Sequence, residues 1–290
     1  MELNWDDVKE ELEKCSCSKS VLLGNGFSIA CINDNNFNQE NIINTVRNTF
    51  KNRKAIKGIT NIEDYISEVE KQFIKQLYEI LPEEKIKKLL GTNSVTPFLD
   101  KFDSFYTLNY DHVLYYLLIG MLKSKHITDG FGGKDSNARI WNRKNDQCVY
   151  YLHGAFHLKI SDDGRVEKIT RNKKSKFFEK IREEWDKGVK SHLVIASDYK
   201  TKELKLTSSY SPYLSHCFKT FKQIGGILVT HGVSFSKSDK HIIDAINKNN
   251  NLQKIYLGYF KDDELAHFKE IFDCNNKVKY FCTKNMFTIS

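Results

Sequence analysis

His153 is the residue of this sequence whose setting best suits acid–base chemistry. It directly follows the apolar run Cys148–Leu152 and precedes Gly154, which would leave space beside the imidazole ring. Because the pKa of histidine lies near neutrality, such a side chain can take a proton from a hydroxyl group or a water molecule. The alternative is a structural histidine satisfied in the core. His157 lies four residues later, but that spacing pairs metal ligands on a helix and this stretch has no helical pattern, so we expect no metal.

Asn109 and Asp111 follow another candidate strand, Phe102–Leu108. A buried Asn offers both a donor and an acceptor, which suit ribose hydroxyl groups or a reacting water. Asp111 stands where it would cap the helix predicted over Val113–Leu122. Capping is the plain structural interpretation, and it is compatible with a binding role.

The stretch Ser20–Ala30, SVLLGNGFSIA, has the pattern of a buried strand that turns through a glycine loop into a helix. Glycines in such a loop permit positive φ and let backbone amides approach a diphosphate, toward which the helix N-terminus would point. Ile29 stands where the third glycine of G-x-G-x-x-G would fall. A strand-to-helix turn without a ligand therefore remains an alternative.

A second loop of small residues follows the candidate strand Gly226–Thr230. It contains Gly232, Ser234 and Ser236, and Asp239 comes near the start of the next predicted helix. A helix cap is the alternative interpretation of this loop.

Apolar runs alternate with helical patterns along the chain, which favours an α/β, Rossmann-like fold with a doubly wound, mostly parallel sheet. Ligands of such sheets bind beyond the carboxyl ends of the strands. We expect five polar strand ends at that edge: GNGFS (24–28), TLNYD (107–111), YLHG (151–154), ASDY (196–199, after a strand at Leu193–Ala196) and HGVSFS (231–236). We interpret residues 1–290 as one domain, with a helical insertion at about 40–100 that would cover a cofactor.

Composition narrows the function classes. The chain has 290 residues, of which 40% are hydrophobic, and no apolar run approaches the length of a membrane span. The N-terminus is acidic and helix-like, so we expect a soluble cytoplasmic protein. Seven cysteines without C-x-x-C indicate neither a disulfide framework nor a zinc ribbon, and the close pair Cys15 and Cys17 is expected to be incidental.

The net charge is +8, and Arg165–Lys190 holds ten Lys or Arg against five Asp or Glu. A surface for nucleic acid or an acidic partner is one interpretation of this segment. A solvated helical face is the other, and we favour it because no nucleic-acid-binding motif is present.

The motifs GNGFS, TLNYD, LHG and GVSFS, in this order between about residues 20 and 260, resemble the SIR2-like family, the NAD-consuming relatives of sirtuins in bacterial antiphage defence. The resemblance implies that Asn109 and His153 are the catalytic pair and that Asp111 helps to hold the nicotinamide ribose. It also implies a set of residues that contact the rest of NAD+: Gly24, Asn25, Gly26, Phe27, Ser28, Gly232, Ser234 and Asp239.

Two departures from the sirtuin pattern favour NAD+ hydrolysis over deacylation: no cysteine lies between Cys148 and Cys217 to form a zinc module, and the D-F-R element is missing. A third departure lies in the glycine loop, where Asn25 replaces the usual alanine. The resemblance also implies gating by a homo-oligomer or by a defence partner such as a HerA-type ATPase or a nucleotide-processing subunit. A sensor that binds NAD+ or ADP-ribose without turnover, and a protein deacylase, remain the alternatives.

Overall fold

The computed structural model describes residues 3–33, 38, 42, 44, 72, 76, 95–121, 127–132, 139–161, 163–170, 192–194, 206, 211–273 and 275–287. Most of the predicted insertion at 40–100 lies outside these residues and stays a prediction. Residues 171–190 of the basic segment and Ser197–Tyr199 also lie outside them.

Within the described ranges the strands are β1 (Lys19–Leu23), β2 (Ser104–Thr107), β3 (Phe131–Gly132), β4 (Arg139–Trp141), β5 (Val149–Tyr151), β6 (Gly154–Ile160), β7 (Val166–Lys168), β8 (His192–Val194), β9 (Gly226–His231), β10 (Leu252–Tyr259) and β11 (Val278–Cys282). The helices are α1 (Trp5–Lys14), α2 (Asn25–Ile32), α3 (Thr96–Leu99), α4 (Val113–Met121), α5 (Pro212–Phe221), α6 (Lys240–Asn247) and α7 (Asp262–Phe272), and a 3₁₀ turn spans Lys237–Asp239.

Six of the strands form one parallel sheet in the order β5-β2-β1-β9-β10-β11. Numbered by their order along the chain within this sheet, they run 3-2-1-4-5-6, which is the order of the dinucleotide-binding Rossmann fold. The prediction of an α/β, Rossmann-like fold with a mostly parallel sheet is confirmed. The strand order reverses direction between β1 and β9, and this is the switch point of the sheet.

The central strands are buried on both faces, as parallel strands covered by helices must be. Every residue of β9 and all of β1 except Lys19 are buried. Beside them, Tyr106 of β2 and Tyr150 of β5 are register partners whose rings stack with centroids 4.6 Å apart. Such cross-strand pairs stabilise the register of a sheet.

A second sheet contains five antiparallel strands in the order β3-β4-β7-β6-β8. Strands β3 and β4 precede the turn at His153 in the chain, and β6, β7 and β8 follow it. Gly154 has φ +79°, which lets the chain leave β5 of the main sheet and start β6 in a new direction. The prediction that the strand near Leu193–Ala196 joins the main sheet is wrong, because β8 pairs antiparallel with β6. The glycine-rich pattern DGFGG at residues 129–133 predicts a flexible loop, but Phe131–Gly132 form β3.

The N-terminal helix α1 forms as its pattern predicts. Asn4 and Asp7 make a reciprocal capping box, in which each side chain accepts from the other residue's backbone N–H. Cys15 and Cys17 follow this helix and were expected to be an incidental pair. This expectation is corrected, because a disulfide joins them.

Candidate active site

The order of the main sheet places four of the polar strand ends side by side. Reading across the sheet, His153 follows β5, Asn109 follows β2, Gly24 follows β1 and Gly232 follows β9. Because all four strands are parallel, their carboxyl ends share one edge. The expectation that these segments meet there is therefore confirmed for four of the five. The fifth, ASDY, follows β8 of the second sheet.

A cavity of about 790 Å³ lies at the switch point between β1 and β9. This volume is within the range of roughly 300–1,000 Å³ that is usual for small-molecule sites. The predicted residues that line it are Gly24, Asn25, Gly26, Asn109, His153, Gly232, Ser234 and Asp239. Phe27, Ser28 and Asp111 are buried and do not line it.

The two glycine loops pack against each other through their backbones. The N–H of Gly24 donates to the carbonyl of His231 (3.0 Å), and the N–H of Gly26 donates to that of Gly232 (2.9 Å). A Cβ on Gly24 would lie 2.3 Å from the carbonyl oxygen of Gly232, and a Cβ on Gly232 would lie 2.1 Å from the nitrogen of Phe27. Contact between the loops thus accounts for these glycines without a ligand. Positive φ occurs at Gly232 (+67°), whereas φ of Gly24 is −110°.

The polar groups of the cavity wall differ from the predicted backbone cradle. The amides of Gly24 and Gly26 are already bonded within the protein. The cavity wall instead contains two lysines, Lys237 and Lys261, together with Asn25 at the start of α2. The sequence motifs did not predict these lysines, because neither lies in the first glycine loop. Their ammonium groups and the N-terminus of α2 fit a diphosphate by charge.

Asn109 ties β2 to the first glycine loop. Its Nδ2 donates to the carbonyl oxygen of Gly24 and to Oγ of Ser28, both at 2.9 Å. The carbonyl of Gly24 can only accept, so this network assigns the orientation of the amide group. The two bonds use both amide hydrogens, which leaves the carbonyl oxygen Oδ1 as the polar atom that Asn109 can offer to a ligand.

Asp111 continues the same network away from the cavity. Oγ of Ser28 donates to Oδ2 of Asp111 at 2.9 Å, and the N–H of Val113 donates to Oδ1 at 2.8 Å. The predicted capping of α4 by Asp111 is therefore confirmed. The network joins the ends of β1 and β2 to the start of α4. Asp111 is connected to the cavity wall through its hydrogen bond to Ser28, which in turn accepts from Asn109.

Asp239 is the N-terminal flanking residue of α6, but its carboxylate does not cap that helix. Oδ2 instead accepts from Oγ of Ser236 at 3.2 Å, and both residues line the cavity. The capping interpretation of Asp239 is thus wrong, and its contact with a ligand stays a prediction.

His153 is 1% exposed and lines the cavity from the end of β5. Its Nε2 lies 2.9 Å from Nε2 of His241, a residue of α6 that sequence reasoning missed. The ring of Tyr110 stacks on His153 at a centroid distance of 6.4 Å. His241 stands within an amphipathic helical pattern, and its sequence neighbours carry no signal that separates it from a core residue.

His231 is a second histidine at this edge that was not predicted as a site residue. It ends β9, lines the cavity and is 3% exposed. Its ring stacks on Phe287 at 5.0 Å and meets Phe27 and Phe98 edge-on, each at 5.7 Å. Among the described residues its ring nitrogens have no hydrogen-bond partner. Burial lowers the pKa of His231 to about 3, so the ring is neutral at physiological pH.

The described residues contain no group of three or more His, Cys, Asp or Glu side chains placed to hold a metal ion. Among them, no helix combines the length and apolar character that crossing a membrane requires.

The fold and site define an α/β protein with a Rossmann-type sheet and a ligand-sized cavity at its switch point. Residues 33–287 match the family described as "Domain of unknown function (DUF4917)", and the chain belongs to this family. No curated protein with which the chain was compared matches it significantly.

Solved structures similar to this chain include three Sir2 proteins. One is bound to a propionylated peptide (TM-score 0.46), one to an acetylated peptide (0.44) and one is a Sir2–p53 peptide–NAD+ complex (0.42). Each has 10% sequence identity to this chain, and the match covers 96% of this chain and 92% of the other. The fold class stated above rests on the strand order of this chain itself.

Proposed function

We propose that this protein hydrolyses the N-glycosidic bond of NAD+ and releases nicotinamide and ADP-ribose. The observation that carries the proposal is the cavity at the switch point of a 3-2-1-4-5-6 sheet, with His153 and Asn109 on adjacent strand ends in its wall. A sheet of this order binds dinucleotides at its switch point.

The charges and hydroxyl groups of the cavity suit such a substrate. The diphosphate would lie near the ammonium groups of Lys237 and Lys261 and the N-terminus of α2. It would lie away from the carboxylates of Asp239 and Glu264, which also line the cavity. Ser234 and Asp239 line the same cavity on the β9 side and would contact the adenosine half. The nicotinamide ribose would then lie toward the ends of β2 and β5.

Cleavage of this bond passes through an oxocarbenium-like state at the ribose anomeric carbon, as in other glycoside hydrolysis. Nicotinamide leaves as a neutral molecule, so the leaving group needs no strong acid. Oδ1 of Asn109 is an acceptor oxygen, and its partial negative charge suits developing positive charge or a water molecule that must be oriented. His153 would take the proton of the attacking water while that water's oxygen bonds to the anomeric carbon.

The test is nicotinamide release from NAD+ by the purified protein and by His153→Ala and Asn109→Ala variants. We expect the histidine change to lower kcat by about 100- to 10,000-fold, the usual contribution of general acid–base catalysis. His267→Ala is the matched control, because His267 also bonds through Nε2, to the carbonyl of Phe235 at 3.0 Å, yet does not line the cavity. Turnover that survives both site changes would contradict the assignment.

Two further measurements distinguish the hydrolase from a deacylase and from a sensor without turnover. Release that requires an acyl-lysine peptide would indicate a deacylase. Binding of NAD+ by calorimetry without turnover, in the isolated protein and together with the partner proposed below, would indicate a sensor. Absence of binding would contradict the whole proposal.

We also propose a role in antiphage defence, in which NAD+ depletion aborts infection. This role rests on the motif resemblance, as do the cytoplasmic location and the gating by self-association or by a HerA-type ATPase or nucleotide-processing subunit. Cells that carry His153→Ala should lose both NAD+ depletion and protection against phage, while cells that carry His267→Ala should keep both.

A further inference from the structure

His241 stands behind His153, the candidate base. The two Nε2 atoms are 2.9 Å apart, which is hydrogen-bond distance. His241 is 3% exposed and is absent from the described lining of the cavity, whereas His153 lines it. The contact joins the end of β5 to the first turn of α6 across 88 residues of sequence.

A hydrogen bond between two imidazole nitrogens requires one proton and one lone pair. If His153 donates, its proton is on Nε2 and its lone pair is on Nδ1, which makes Nδ1 the basic atom. If His153 accepts, its proton is on Nδ1 and the ring is not a base. The direction of this hydrogen bond therefore decides whether His153 is in the tautomer that can take a proton.

We propose that His241 is a positioning residue that holds His153 in its Nε2–H tautomer, so that Nδ1 acts as the base. When Nδ1 takes the proton of water, His153 becomes an imidazolium whose Nε2–H still donates to the neutral ring of His241. His241 then stabilises this charge as the carboxylate does in a Ser-His-Asp triad, but without a charge of its own.

The packing around the pair supports a fixed geometry. Tyr110 stacks on His153, and Phe218 of α5 meets the ring of His241 edge-on at a centroid distance of 5.6 Å. Both imidazoles are therefore held by aromatic rings within a buried region. In a region of low dielectric, a satisfied hydrogen bond of this kind is strengthened and the orientation of its partners is restricted.

The inference rests on the proposed hydrolysis for its kinetic part, so the test includes a measurement that needs no turnover. Long-range ¹H–¹⁵N correlation spectra distinguish the Nδ1–H and Nε2–H tautomers of a histidine ring, and the signal of His153 is assigned by its loss in His153→Gln. We expect the Nε2–H tautomer in the wild type and a mixture in His241→Phe, which keeps an aromatic ring but has no nitrogen.

In the kinetic part, His241→Phe should lower kcat by about 10- to 100-fold with little change in KM, by analogy with the loss of the hydrogen-bond partner that orients a metal-bound histidine. His241→Gln should recover most of this loss, because its amide oxygen can accept from Nε2–H. His267→Phe is the control and should leave kcat unchanged, since His267 lies outside the cavity lining.

An unchanged His153 tautomer in His241→Phe would overturn the proposal, and so would equal loss of kcat in the Phe and Gln variants. The tautomer measurement needs no nicotinamide release, so the expected tautomer response supports the pairing of the two histidines even if the hydrolysis proposal fails.

Discussion

Gly232 is expected to be the least replaceable glycine of the candidate site, for two separable reasons. Its φ of +67° is in the left-handed region, and a Cβ there would lie 2.1 Å from the nitrogen of Phe27. Two other glycines isolate these factors. Gly164 has φ +78° and nothing within 4 Å of its Cβ position, whereas Gly24 has φ −110° but a contact of 2.3 Å.

The structure sets the expected magnitudes for substitution by alanine. The left-handed conformation costs a residue with a Cβ about 1–2 kcal/mol. Overpacking against atoms that cannot rotate away costs about 1–3 kcal/mol, and the neighbours here are backbone atoms. Gly164→Ala should thus lose about 1–2 kcal/mol, Gly24→Ala about 1–3 kcal/mol and Gly232→Ala about 2–5 kcal/mol. Any gain from a less flexible unfolded chain is common to all three variants.

The assay is equilibrium unfolding in urea, with the free energy of unfolding obtained by linear extrapolation at unchanged slope. A loss of about 2–5 kcal/mol is a large share of the roughly 5–15 kcal/mol that stabilises a typical domain, so Gly232→Ala should also express poorly. If Gly232→Ala is no less stable than Gly164→Ala, the contact between the two glycine loops does not restrict this position and our explanation of the loop is refuted.

Three further predictions concern buried polar groups. As the pH falls below about 6.5, His231 alone should lower the free energy of unfolding by up to about 1.4 kcal/mol per pH unit. In urea titrations between pH 7 and 4, the free energy of unfolding of His231→Phe should depend less steeply on pH. Lys168→Met should cost about 3–5 kcal/mol in thermal unfolding, because it leaves the carboxylate of Asp129 without its buried ion-pair partner. Asn109→Leu should cost about 1–3 kcal/mol, because Oγ of Ser28 loses its buried donor and the carbonyl of Gly24 keeps only the N–H of Phe27.

The sign of the pH effect follows from the lowered pKa of His231. Above pH 6.5 the residue is neutral in both states and contributes no pH dependence. Below that value the unfolded chain binds a proton that the folded protein does not. The free energy of unfolding therefore decreases with falling pH until the pH nears the folded pKa of about 3. An unaltered slope in His231→Phe would contradict this account.

Solvent-exposed residues of the same types provide controls for Lys168→Met and Asn109→Leu. The pair of Lys240 and Asp244 is solvent-exposed, with side-chain exposures of 55% and 34%, so Lys240→Met should cost less than about 1 kcal/mol. Asn247 is exposed and bonds the carbonyl of Ile271, so Asn247→Leu should change stability by less than about 0.5 kcal/mol. Equal losses in the buried and exposed variants would show that burial is not the cause.

The main sheet was predictable because each of its strands has a recognisable local sequence pattern. Buried parallel strands are continuous apolar runs, and β1, β2, β5 and β9 each end in glycine or polar residues. The second sheet was not predictable in the same way. Its strands β3, β4 and β7 have two or three residues each, too few to show an alternating pattern. The turn at Gly154 directs β6, the strand on which β7 pairs, away from the main sheet.

The sequence by itself determined the fold class, the four motifs that end the strands and the candidate residues His153 and Asn109, because these depend on local pattern. Tertiary structure alone decided that Gly24 and Gly232 pack on each other, that the amide hydrogens of Asn109 are used within the protein and that His241 contacts His153. These contacts join residues about 80 to 210 positions apart in the chain. Their partners are set by the order of strands in the sheet, which no local pattern encodes.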